Sequence, residues 1–99
     1  EAAQTKLGDD PTLGTSVRAA LAQAYEHTGK ADRAADAWRT LSADGSGYPK
    51  DLALTGLGRA LARQGKRDEA KATLRQVIEQ FPSSPLQASV KAELARLGG

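Results

Sequence analysis

The chain has 99 residues, of which 39% are hydrophobic and 4% aromatic, and 14 Lys and Arg against 12 Asp and Glu give a formal net charge of +2. This length predicts one domain with a thin core. A positive charge surplus this small does not indicate a protein that binds nucleic acid or an anionic membrane. The chain contains no cysteine, which excludes disulfides, cysteine zinc sites and thiol catalysis. No run reaches the roughly 18 apolar residues of a membrane span, so we expect no membrane insertion by this segment.

The first predicted elements are the two helices of a hairpin. Residues 1–14 are expected to hold the end of a helix from a preceding unit, over residues 1–8, and then a loop. Apolar residues then recur at helical spacing on both sides of Gly29, so both helices are expected to face one core. They are Val17, Leu21, Ala24 and Tyr25 before the turn, and Ala34, Ala37, Trp38 and Leu41 after it.

The same hairpin recurs 36 residues later, where residues 60–70 repeat the pattern of residues 24–34. Gly65 takes the place of Gly29 and is followed by Lys66 as Gly29 is by Lys30. A glycine closes a helix well because it adopts the left-handed conformation, and a lysine is stabilised near the carbonyl end of the helix dipole. The apolar stripes of the second copy are Leu54, Leu57, Gly58 and Leu61, then Ala70, Leu74, Val77, Ile78 and Phe81.

The unit begins a third time after Pro85, with one apolar stripe and a polar back. The stripe consists of Leu86, Val90, Leu94 and Leu97. Such a helix suits the end of a repeat array, where no further neighbour follows. The chain is therefore predicted to be all-α and one domain: a hairpin over residues 15–48, another over 49–84 and a capping helix over 85–99. Since it begins at Glu1 without a signal peptide, we expect it to be part of a longer protein.

The hairpin resembles the tetratricopeptide repeat, a unit of 34 residues. In residues 51–84 the signature positions are filled by Leu57, Gly58, Leu61, Gly65, Ala70, Leu74, Val77 and Pro82, and in residues 15–48 by Leu21, Ala22, Tyr25, Gly29, Ala34, Trp38 and Leu41. The first copy departs at Ser46, which stands where the repeat has proline. The resemblance implies antiparallel hairpins stacked as a right-handed superhelix, and noncatalytic binding of another protein or peptide in the groove.

Residues 60–71 and 81–86 are further similar to bacterial cell-envelope members of that family. Those members include single-pass inner-membrane proteins that assist the Sec translocon and its chaperones, and the coordinator of the Tol-Pal system. The similarity implies a role in envelope protein assembly or translocation. It favours the envelope or periplasm over the cytoplasm.

The resemblance also assigns candidate partner-binding residues, because the first helix of each hairpin lines the groove of such arrays. They are Gln23, His27, Leu52, Thr55, Arg59 and Arg63. Arg59 and Arg63 lie one helical turn apart and could clamp a carboxylate or the acidic side of a peptide. A solvated polar face explains the same pattern. The Lys and Asn pattern with which some eukaryotic members hold C-terminal carboxylates is absent, so that activity is not implied.

No catalytic, metal-binding or cofactor-binding residue is predicted. His27 is the single histidine, and a zinc site needs three or four ligands. Two alternatives to the groove remain: self-association through exposed repeat ends, giving a homo-oligomer, and a nucleic-acid-associated regulator using the basic stretch 59–75. The second lacks a recognition helix and stacking aromatics, so we expect no nucleic acid among the partners.

Overall fold

The structure, a computed structural model, describes residues 11–43 and 46–98. Over these residues the chain forms five helices and no strand, which confirms the all-α class. They are α1 (Pro11–His27), α2 (Ala31–Leu41), α3 (Lys50–Arg63), α4 (Arg67–Gln80) and α5 (Gln87–Arg96). The helix end predicted for residues 1–8 lies outside the described residues. None of the described helices is long and apolar enough to cross a membrane.

The two hairpins close through the same turn. Gly29 and Gly65 adopt positive φ angles of 76° and 83°. After each glycine, the lysine amide donates back into the preceding helix, from Lys30 N to Tyr25 O at 2.8 Å and from Lys66 N to Leu61 O at 2.9 Å. This arrangement satisfies carbonyls that the end of a helix leaves without partners. Both turn predictions are confirmed.

The helices pack on their chain neighbours and form two apolar clusters that meet at α3. The first joins α1, α2 and α3 with Ala70 of α4, and the second joins α3, α4 and α5. Residues 53–58 of α3 are all buried, because this helix packs against both α2 and α4. A Cβ on Gly56 would lie 2.5 Å from the Trp38 ring, and one on Gly58 would lie 2.6 Å from Leu74 Cδ2. The two glycines therefore allow both neighbouring helices to approach α3 closely.

The connection between the hairpins is held by Ser46, at the position where the repeat has proline. Its hydroxyl donates to Leu41 O at 2.7 Å and accepts from Tyr48 N at 3.2 Å. Tyr48 packs against Trp38 with ring centroids 6.1 Å apart. Burial raises the pKa of the Tyr48 hydroxyl above its usual value of 10.0. The departure from the repeat pattern thus closes the second helix of the hairpin with a side-chain cap.

The apolar stripe expected on α1 is not the buried face of that helix. Val17 and Leu21 are 41% and 45% exposed, whereas Ala19 and Ala22 are buried. Tyr25 is half-buried. The prediction that Val17 and Leu21 face the core is wrong because α1 enters the core through Ala19 and Ala22. Leu21 lies at the margin, in an open cavity that residues of α2 also line.

The last helix packs as its stripe predicts. Val90 and Leu94 are buried in the second cluster, and Leu86 and Leu97 pack at its margin. The Gln87 amide donates to Phe81 O at 2.8 Å and, at longer distances, to two further carbonyls near the end of α4. A side chain at the start of α5 therefore supplies hydrogen bonds to the backbone carbonyls that end α4.

Candidate partner-binding groove

Residues of α1, α3 and α5 line two adjoining cavities on one face of the stack. The leucine cavity, of about 250 Å³, is lined by Gln23, Glu26, Trp38, Leu52, Thr55, Gly56, Arg59 and Leu86. The arginine cavity, of about 310 Å³, is lined by Arg59, Ala62, Arg63, Glu93, Arg96 and Leu97. The two share Arg59 and so adjoin along α3; together they are called the groove below.

The floor of the leucine cavity is apolar, and its polar atoms are already hydrogen-bonded within the chain. Trp38 is 4% exposed, and its Nε1 donates to Glu26 Oε2 at 2.7 Å. Thr55 is 2% exposed, and its hydroxyl donates to Asp51 O at 2.8 Å. Leu52 is 40% exposed at the wall. The cavity thus offers accessible apolar surface, and the Trp38 and Thr55 donors in its floor already have hydrogen-bond partners.

A short hydrogen-bonded chain holds the two leucine walls in place. Asp51 Oδ1 accepts from Leu52 N at 2.9 Å, and Asp51 Oδ2 accepts from Ser84 Oγ at 2.7 Å. Ser84 Oγ in turn accepts from Leu86 N at 3.1 Å. One carboxylate therefore links the start of α3 to the loop before α5. The loop that carries Leu86 is thus held against α3 by hydrogen bonds.

The arginine cavity carries an excess of positive charge. Glu93 Oε1 is 3.4 Å from Arg59 Nε and 2.8 Å from Arg96 Nη2. Arg63 Nη1 donates to Glu26 O at 3.2 Å. Three guanidinium groups thus line the cavity with the single carboxylate of Glu93. Solvent-exposed pairs of this kind contribute little to stability, so the guanidinium groups can also bind other anions.

The structure brings five of the six predicted partner-binding residues into the groove. Gln23, Leu52, Arg59 and Arg63 are exposed there, and Thr55 lies beneath them in the floor. Since the Thr55 hydroxyl is used inside α3, it contributes shape and no donor. His27 is exposed at the end of α1 and lines neither cavity.

Sequence reasoning missed several residues of the groove. They include Trp38, Gly56, Leu86, Glu93 and Arg96. A signal existed for two of them, because Leu86 and Glu93 follow Leu52 and Arg59 by 34 residues, one repeat length. The helix expected only to cap the stack is thus a third groove-lining helix. Trp38, expected in the core, is buried and also forms part of the groove floor.

The fold and groove are those of a helical-repeat protein in which hairpins stack and present the first helix of each unit. Two family models, both described as tetratricopeptide repeat, match residues 52–84 and 15–40, together more than half of the chain. The chain therefore belongs to the tetratricopeptide repeat family. Repeats of this family are generally protein–protein interaction modules and typically noncatalytic. No curated protein and no solved structure matches the chain significantly.

The described residues contain no group of three or more His, Cys, Asp or Glu side chains placed to hold a metal ion.

Proposed function

We propose that this chain is a noncatalytic binding module that holds a peptide segment of another protein in the groove. One observation carries the proposal: Leu52 is 40% exposed on a helix whose next six residues are buried, and it faces a cavity. A concave site lined by apolar side chains with a few polar groups is typical of a binding site. Gln23, Arg59 and Leu86 line the same cavity.

The rigidity of the groove supports the proposal. Its side chains stand on helices or are tied to them, as the bonds from Trp38 to Glu26 and from Ser84 to Asp51 show. A preformed site loses less conformational freedom on binding than a mobile one. The groove can therefore receive an extended segment without refolding.

Site-specific crosslinking tests the proposal. A photo-reactive residue at Gln23, which is exposed in the leucine cavity, should yield a discrete adduct with another protein in the source cell. The substitution Leu52→Glu should abolish that adduct, because a charge replaces the apolar wall. The same probe at Arg75, an exposed residue of α4 that lines neither cavity, is the control. An adduct that persists in the Leu52→Glu variant would contradict groove binding.

The proposal extends to a location and a role, in the bacterial cell envelope and in protein assembly or translocation there. What supports it is the similarity of residues 60–71 and 81–86 to envelope members of the family. Fractionation of the source cells, followed with an antibody to this chain, tests it. Recovery in the periplasmic or membrane fraction is expected, and recovery in the cytosol alone would contradict it.

A second candidate function is self-association, favoured by the exposed face of α1. Val17 and Leu21 lie one turn apart and are 41% and 45% exposed. If this face pairs two copies, light scattering should give a dimer mass at micromolar concentration, and Leu21→Glu should restore the monomer. A monomer at all concentrations would exclude this function and leave the groove proposal intact.

A further inference from the structure

We propose that the groove selects peptides that carry an apolar and an acidic side chain two or three residues apart. This inference rests on the proposed function and specifies the chemistry of the partner. The apolar side chain enters the leucine cavity, and the acidic side chain lies in the arginine cavity. The partner is thus recognised by an internal pair of side chains.

The leucine cavity favours an aliphatic or phenyl side chain. Leu52 and Leu86 form its walls, and the Trp38 ring is part of its floor. The indole N–H is bonded to Glu26 and the Thr55 hydroxyl to a backbone carbonyl. Covering a polar atom that has no hydrogen-bond partner costs free energy. Because these two donors already have partners, an apolar side chain can cover the floor without that cost.

The arginine cavity favours a carboxylate. Its three guanidinium groups face one glutamate, which leaves two positive charges in excess. Glu93 meets Arg59 at Nε and Arg96 at Nη2, whereas each guanidinium carries five N–H donors. The side chains of Arg59 and Arg96 are 44% and 71% exposed. They can therefore bind a second carboxylate, and the binding is charge-assisted.

Charge also sets the order of the two subsites. Glu26 lines the leucine cavity, so its carboxylate repels an acidic group there. The acidic side chain of the peptide is thus held at the arginine end.

The spacing follows from α3, which lines both cavities. The α3 residues that line the leucine cavity fall between Leu52 and Arg59, and those that line the arginine cavity fall between Arg59 and Arg63. The midpoints of these segments are on the order of 8 Å apart along the helix axis, at 1.5 Å per residue. An extended peptide spans that distance in two or three residues, at about 3.3 Å each.

Selection from a displayed library of random twelve-residue peptides tests the inference on the 99-residue chain. Peptides with Leu, Ile, Val, Met or Phe two or three residues from Asp or Glu should be enriched. A synthetic enriched peptide should bind on the order of tenfold more weakly when its acidic residue becomes lysine, since a charge-assisted bond is lost. Binding is followed by fluorescence of Trp38, the single tryptophan.

The variants separate charge recognition from folding. The double substitution Arg63→Glu and Arg96→Glu should reverse the preference, so that the lysine peptide binds more tightly than the acidic one. Arg75→Glu, the same change at an exposed position outside the groove, should leave the preference unchanged. Leu52→Ser should weaken both peptides.

Two results would overturn the inference. Only the second of them would also overturn the proposed function. Enriched peptides that need Leu52 but show no acidic preference would refute the acidic subsite and leave groove binding standing. Enriched peptides indifferent to Leu52 and to the arginines would refute both.

Discussion

At the scale of single residues, two glycines of α3 determine how closely the helices approach. A Cβ on Gly56 would lie 2.5 Å from the Trp38 ring, a distance that real Cβ contacts essentially never show. The indole N–H of the same ring donates a hydrogen bond to the Glu26 carboxylate, and the ring forms part of the groove floor. Gly56 thus serves the packing of the first cluster and the shape of the leucine cavity at once.

We predict that Gly56→Ala destabilises the chain. The overpacking cost of about 1–3 kcal/mol exceeds the gain of about 0.5–1 kcal/mol that alanine brings to a helix interior. Urea unfolding followed by circular dichroism measures the difference. In a Trp38→Phe background, where the ring is smaller, the cost of Gly56→Ala should fall. A stabilising effect of Gly56→Ala in the native background would show that α2 and α3 do not pack this closely.

At the scale of elements, the two hairpin turns show how local chemistry ends a helix. Gly29 and Gly65 have positive φ angles, and a Cβ at either position would meet nothing within 4 Å. Only backbone strain therefore opposes a side chain there. Because the turn needs no long-range contact, its position could be predicted from the sequence.

We predict that Gly65→Ala lowers the free energy of unfolding by about 1–2 kcal/mol, the cost of a left-handed alanine. Gly65→Asn should cost less, since asparagine tolerates this conformation better than other residues. Thermal unfolding of the two variants checks the order. Equal losses in both variants would contradict the assignment of this cost to the left-handed backbone conformation.

At the scale of the whole molecule, the described helices form a chain of nearest neighbours. Each packs chiefly on the helix before and after it, and the two apolar clusters meet through α3, α4 and Leu97. Stability in such an array is close to a sum of unit and interface contributions. Damage at one end should therefore stay at that end.

We predict that Leu94→Ala, at a buried residue of the second cluster, costs about 2–5 kcal/mol and loosens α5 and α4 before α1 and α2. Hydrogen exchange resolved by segment measures this. Leu41→Ala, in the first cluster, is the matched variant and should loosen α1 and α2 first. Uniform loss of protection in both variants would show that the chain unfolds as one unit.

The sequence by itself determined the repeat, the hairpins, their glycine turns and the family. These depend on apolar spacing and turn chemistry, which are encoded locally. It also indicated Leu52, Arg59 and Arg63 as groove residues, through the position each holds in the repeat. The binding role of all the groove residues stays a prediction.

Only the tertiary structure decided which surfaces are covered and which side chains meet. Periodicity marks an apolar face but not the neighbour that covers it, so Val17 and Leu21 seemed internal and are exposed. For the same reason the apolar stripe predicts the helix α5 but not that its Glu93 meets Arg59. The groove exists because distant segments are brought together, and no local pattern specifies that contact.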